Sequence, residues 1–402
     1  MNRRWLMLAV IFLARASMGF QFQSIAAVSP FLAADLRLSH AQVGTLIGLY
    51  LLPGALIALP GGALGQRFGA WTGALLGLTV MAAGAMVTAR SDDLLVAAAG
   101  RLLSGGGGVL MNVLLAKLVA DWFTGRELST AMGVMLTAWP IGLALALGIL
   151  GGAAEAVSWR AALDLTAAAA LVGFALLVGL YRDPPGGAPA APGAGTGRLL
   201  ERREWSLAVV AGLGWGAYNS GIVVFAGFAP GFFMSRGHSA ADAGALVSLV
   251  LWVTLVAVPL GGVVSDRLGR VGAMVAGGAL ATGLAMLALT TLPGSVGWLV
   301  VIGVVGSAPA AAYMTLLPRH VAPQHLPAAL GVYYSIFYLC QAVAPAVAGW
   351  LRDLTGEAAA PILFSGLVIA SMGSVLPVFY RVARSGPAPD PTRRSGEERG
   401  PR

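Results

Sequence analysis

The chain has 402 residues, of which 57% are hydrophobic and 10% charged, and its mean hydropathy is +0.81. A soluble domain carries roughly a quarter charged residues, so the composition excludes one and implies an all-α, polytopic membrane protein. The net charge of +8 does not point to nucleic acid, because the arginines fall between apolar runs, where they report topology.

A helical span needs about 20 apolar residues. On that ruler twelve helices are predicted near 5–29, 41–64, 71–89, 94–120, 128–151, 159–181, 205–234, 241–264, 272–292, 296–318, 327–351 and 359–381. Arg3 and Arg4 ahead of the first apolar run resemble a cleaved leader. Arg15 interrupts that run and no small-residue cleavage site follows, so a retained first helix is expected. The helices divide into a six-helix bundle over 1–181 and a second over 205–382. Between them, 182–204 is rich in Pro, Gly and Ala and reads as a cytoplasmic linker. The Pro-, Arg- and Glu-rich stretch 383–402 reads as a disordered cytoplasmic tail. With the N-terminus inside, the inner segments collect most arginines, which predicts two cytoplasmic termini in the cell (inner) membrane. A monomer is expected, with the lipid bilayer and a small molecule as its partners.

Cys340 stands alone, which excludes a disulfide framework and a multi-cysteine metal site. His40, His238, His320 and His325 lie near predicted loop ends with no pair at helix-face spacing, so no metal or cofactor is expected. No Gly-x-x-x-x-Gly-Lys-Ser/Thr loop is present, so ATP is not the expected direct energy source.

The halves repeat each other. Gly261-Gly262-Val263-Val264-Ser265-Asp266-Arg267-Leu268-Gly269-Arg270 has an eroded copy two hundred positions earlier, Gly61-Gly62-Ala63-Leu64-Gly65-Gln66-Arg67-Phe68-Gly69-Ala70. At the same offset Trp5 matches Trp205, Pro30 matches Pro230, Ser39 matches Ser239 and Gly44 matches Gly244. Six helices per half make such a repeat parallel, about an axis along the membrane normal. Charge is costly in hydrocarbon, so each Gly-rich copy is predicted to be a tight turn at the membrane surface. Asp266 can accept hydrogen bonds from a helix N-terminus or pair with a cytoplasmic arginine, with Arg319 a candidate. Contacts of that kind form only when the cytoplasmic side is closed and act as a latch. The plainer alternative is that Asp266, Arg267, Gly269 and Arg270 only mark topology. In the first copy Arg67 and Gly69 flank an uncharged Gln66, so any latch there is weaker.

On these motifs the chain resembles the major facilitator superfamily over nearly its whole length. Gly262 to Arg270 resembles the loop between the second and third helices of a half. Arg101-Leu-Leu-Ser-Gly105 resembles the fourth-helix arginine motif. Trp122-Phe123 with Arg126-Glu127 resembles the loop ahead of the fifth helix, Trp139-Pro140-Ile141-Gly142 its Pro/Gly segment, and Ser158-Trp159-Arg160 the start of the sixth. The resemblance implies two six-helix bundles, with helices one, four, seven and ten lining a central cavity, and it directs Arg15 and Arg101 toward that cavity.

Arg15 lies roughly 15 Å into the first helix and Arg101 roughly 10 Å into the fourth, depths at which an arginine needs a polar cavity or a partner. Arg101, Gly105, Gly108 and Asn112 share one stripe. Asp164, at the depth of Arg101, is a possible partner for it and the available acid for coupling. Arg15 has no evident partner. Tyr218, Asn219 and Tyr313 are candidate cavity donors, and Trp139 sits beside a proline where the fifth helix is expected to bend. Tyr334, Tyr338 and Gln341 share one face of the eleventh predicted helix. Ordinary interhelical packing is an equal alternative for each of these side chains.

Two guanidinium groups and few acids favour an anionic substrate, since arginine matches carboxylates in a bidentate fork. The expectation is a secondary active transporter of a small organic or inorganic anion, working by rocker-switch alternating access and not an enzyme. Within the superfamily the motifs look most like the cyanate-permease-like branch. Two alternatives stay open: efflux of hydrophobic compounds by the same fold, and a non-transporting sensor or assembly partner.

Overall fold

The computed structural model describes residues 3–57, 69–123, 126–184, 200–268, 270–314, 316–322 and 324–384. Among them the chain forms helices and no strands. The first half holds α1 (Arg3–Phe22), α2 (Ser24–Leu36), α3 (His40–Leu49), α4 (Leu52–Ile57), α5 (Ala70–Ala89), α6 (Leu94–Trp122), α7 (Arg126–Ala156) and α8 (Trp159–Leu180). The second holds α9 (Arg202–Ser235), α10 (Ala240–Leu268), α11 (Val271–Thr291), α12 (Ser295–Tyr313), α13 (Leu326–Thr355) and α14 (Ala360–Arg384).

Eleven helical segments are long and apolar enough to cross a bilayer, with α1–α2 acting as one and α3–α4 as another. At the tenth predicted position, α12 carries a shorter apolar stretch, Ser295–Ser307. Local chemistry sets several starts. Ser39 accepts from Gln42 N in a capping box, Asp93 from Val96 N and Ser158 from Ala161 N, each satisfying an orphan donor of a first turn. The Ser158-Trp159-Arg160 run also ties three connections together. Trp159 Nε1 donates to Asp35 at 2.9 Å, and Arg160 bridges Asp35 to Asp92.

Two expectations need correction. The first span is longer than predicted and is broken at Gln23, where α1 gives way to α2. The run from Gly261 was expected to be a turn, yet α10 continues through it to Leu268. Helical backbone satisfies its own polar groups, so this end prolongs the helix and carries Arg267, on an exposed side chain, beyond the apolar stretch.

Each half packs largely on itself. In the first, α5 lies on α6 and α8, and α1 on α7 and α8. In the second, α9 lies on α13 and α14, α10 on α12, and α11 on α12 and α14. Across the halves α13 runs along α3 and α4, α7 along α10, and α2 along α9. The bundle end that holds connections 37–39, 236–239 and 356–359 is called the far end below. There a Cβ at Gly44 would overlap the Pro345 carbonyl and one at Gly48 the Ala342 carbonyl, so only glycine lets α3 lie directly on the backbone of α13.

Candidate functional site

The two buried arginines of the first half have opposite surroundings. Arg101 is 2% exposed, and its guanidinium is held by backbone oxygens. Nε donates to Leu46 O at 3.0 Å, Nη1 to Gln21 O at 3.1 Å and Nη2 to Phe22 O at 2.9 Å. The Tyr50 ring lies 4.6 Å from its central carbon. Gln21 and Phe22 end α1 at the break, where a helix presents partial negative charge, so the cation sits where the backbone dipoles favour it. The Ser24 hydroxyl adds a second donor to Gln21 O at 2.7 Å. Arg101 therefore joins α6 to the α1–α2 break and to α3.

The Arg101–Asp164 pair, one of the two alternatives for Arg101, does not form. Asp164 accepts from Arg90 Nη1 at 2.7 Å instead, with side chains 45% and 62% exposed. That places the carboxylate on the rim where α5 ends and α8 begins. It also removes Asp164 from the groups gathered around either buried arginine, which weakens the coupling role expected of it.

Arg15 is 8% exposed and has no hydrogen bond or ion pair among the described residues. Its Nε is buried without a partner. Its charge lies within electrostatic range of the Tyr334 and Tyr338 hydroxyls of α13, in the opposite half. Tyr334, Tyr338 and the buried Gln341 follow one another at helix-face spacing and have no hydrogen bonds of their own among the described residues. The Tyr338 ring rests against Gly54 of α4, where a Cβ would come within 2.6 Å. Arg15 and this stripe thus face each other across the seam between the halves. Asn112 contributes a further buried side-chain oxygen without a partner.

The other expected donors are already engaged. Tyr218 OH donates to Gly306 O at 2.7 Å and Tyr313 OH to Ala211 O at 3.0 Å, so both link α9 to α12. Asn219 donates to Trp215 O of its own helix at 3.0 Å. Trp139 stacks on Phe22 beside the α1–α2 break, with ring centroids 5.2 Å apart. Trp215, absent from the expected set, stacks on Tyr218, Tyr313 and Phe337, and Phe337 meets Tyr334 and Tyr338 edge-on. This aromatic belt leads from α12 to the stripe facing Arg15. A tryptophan among apolar residues carries no signal for such a place.

Of the expected latch residues, Arg67, Gly269 and the Asp266 side chain lie outside the described residues. Arg267, Arg270 and Arg319 are exposed, and Gly69 has φ 80°, a positive value that glycine adopts without strain. Sequence reasoning also missed a buried pair in the second half. Glu204 Oε2 lies 2.6 Å from His325 Nδ1, and its Oε1 accepts from Ala322 N at 3.2 Å. These contacts fasten the chain ahead of α13 to the start of α9.

A helical bundle with a polar seam between two halves defines a class of membrane transport protein. The family model of the Major Facilitator Superfamily matches residues 11–237 and 205–401. The chain belongs to the major facilitator superfamily. Among curated relatives it is 27% identical over 382 residues to the uncharacterized transporter YycB of Bacillus subtilis (strain 168), covering 92% of each chain. It is 21% identical over 266 residues to the hexuronate transporter of the same organism, covering 64% of this chain and 63% of that one. The family and these relatives make the chain a multi-pass membrane transporter of a small solute, not a member of an enzyme family.

Proposed function

We propose that the chain is a secondary transporter of a small anion, with Arg15 as the group that binds it. The observation that carries this reading is a buried guanidinium, set between the halves, with neither carboxylate nor hydrogen bond among the described residues. An isolated charge in that setting is expensive, and an anionic substrate supplies the missing countercharge. Tyr334, Tyr338 and Gln341 offer uncommitted hydroxyl and amide donors on the facing wall, and Asn112 a further polar atom. The relative named for hexuronate, a sugar acid, agrees with an anionic cargo.

The same reading makes the protein a duplicated twelve-span monomer of the cell membrane with both termini cytoplasmic, α12 serving as the tenth span. Its bundles, 1–181 and 205–382, rock about the Arg15 site with the far end closed in the present state. Asp266, Arg267 and Arg270, with Arg319, latch the opposite end, and the copy at Arg67 and Gly69 does so more weakly. Arg101 is a clamp on the α1–α2 break rather than a substrate contact.

Purified protein in proteoliposomes, supplied in turn with radiolabelled small carboxylates, sugar acids and inorganic oxyanions, tests this. Uptake of at least one anion should occur and should be lost in Arg15→Gln while the variant remains monodisperse. Equal uptake by the variant, or flux of cations or neutral solutes alone, defeats the reading.

A further inference from the structure

At the far end, between the halves, lies a cavity of about 320 Å³ walled by Ser29, Pro30 and His40 on one side and by Gly231, Ser235 and Arg352 on the other. The charge of its wall follows from the different commitments of two adjacent residues. Asp353 is engaged at the start of α3. Its carboxylate accepts from the backbone N–H of His40 at 2.9 Å and of Ala41 at 2.8 Å, and lies 2.7 Å from His40 Nδ1. A carboxylate at a helix N-terminus satisfies two orphan donors and the dipole at once. Asp353 is thereby committed to the first half; its charge stays within electrostatic range of its neighbour Arg352 but forms no ion pair with it, so the guanidinium keeps all its donors.

Arg352 has no hydrogen bond or ion pair among the described residues and is only partly exposed. Its guanidinium crosses Gly231 of α9, where a Cβ would stand 2.9 Å from Nη1. The absence of a side chain at Gly231 is what gives the arginine room. The hydroxyls nearby are occupied: Ser29 donates to Ala26 O at 3.0 Å and Ser235 to Phe232 O at 2.7 Å. The guanidinium is thus an uncommitted donor of the wall, beside the His40 ring, in a space near the lower end of the roughly 300–1,000 Å³ typical of small-molecule sites.

We propose that this cavity is a second anion-binding site, taking a small carboxylate or inorganic oxyanion through a bidentate contact with Arg352. It is separate from the Arg15 site and stands whether or not Arg15 binds cargo. Equilibrium dialysis of the purified full chain against radiolabelled acetate, and separately sulfate, tests it in an Arg15→Gln background. One saturable site per chain is expected to remain for at least one of the two anions. Adding Arg352→Gln should weaken it about tenfold or more, as expected for losing a charge-assisted contact. Arg352→Lys should keep part of the affinity. Gly231→Val keeps the charge but displaces the guanidinium, so it should weaken binding even if Arg352→Gln proves unstable. No saturable binding in Arg15→Gln, or a site indifferent to both Arg352→Gln and Gly231→Val, overturns the proposal. Failure of the Arg15 reading appears elsewhere, as unchanged uptake by Arg15→Gln.

Discussion

Arg15 and Arg101 have the same side chain, sit in neighbouring helices of one half and are almost equally buried. They differ in what surrounds the guanidinium. Three carbonyl oxygens and a tyrosine ring solvate Arg101, so its charge is matched by fixed dipoles and leaves nothing for a ligand. Among the described residues Arg15 has two tyrosine hydroxyls within electrostatic range and no hydrogen bond. Burial therefore says that an arginine is costly, and the partner set says whether the protein or a ligand meets that cost.

The sharpest way to break the comparison is to remove each arginine in turn. Arg101→Gln should be the more damaging to the fold, because carbonyls at the α1–α2 break lose charged donors, at about 1–3 kcal/mol for each buried group left unsatisfied. We expect poor yield and a clearly lowered melting temperature in detergent. Arg101→Lys should rescue little, since one ammonium cannot span three oxygens in a planar fork. If Arg101→Gln is as stable as the parent and loses only transport, the clamp is the wrong description.

Arg15→Gln should do the reverse. Removing an unpaired buried charge leaves stability unchanged or slightly raised, while anion uptake falls by a factor of about 100, in line with losing 2–3 kcal/mol of charge-assisted contact. Thermal unfolding and uptake measured on one preparation decide between the two outcomes.

Asp353→Asn comes next in size. It removes the charge from the start of α3 and from His40, at about 1 kcal/mol, and should loosen the far end without unfolding either half. The readout is faster labelling of a Ser235→Cys thiol by a maleimide, and an unchanged labelling rate would show that Asp353 does not hold the halves together. Asp164→Asn should matter least, because an exposed pair with Arg90 is worth about 0–1 kcal/mol. A large loss of transport in that variant would restore Asp164 to the mechanism.

Much of the helical layout was legible in the sequence, because a run of about 20 apolar residues has few other destinations than a bilayer. The break at Gln23 was not, since neither proline nor glycine marks it. The partner of Arg101 was also out of reach. Backbone carbonyls have no sequence signature, whereas Asp164 was a visible acid at a plausible depth. For the same reason Tyr218 and Tyr313 looked like cavity donors, although each donates to a carbonyl of a neighbouring helix. Arg15 was read more nearly as it stands, because the scarcity of acids within the spans is itself a sequence observation. The His40–Asp353 contact joins positions 313 apart, a separation at which pattern and spacing say nothing.

The direct contact of α3 with α13 at Gly44 and Gly48 has a mechanical meaning. Where backbone meets backbone there are no side chains to change rotamer, and hence no interlocking surface to disengage when one helix slides along the other. Such a seam resists separation through its close fit while offering little friction to a small glide. A single added methyl at Gly44 would turn that bearing into a wedge.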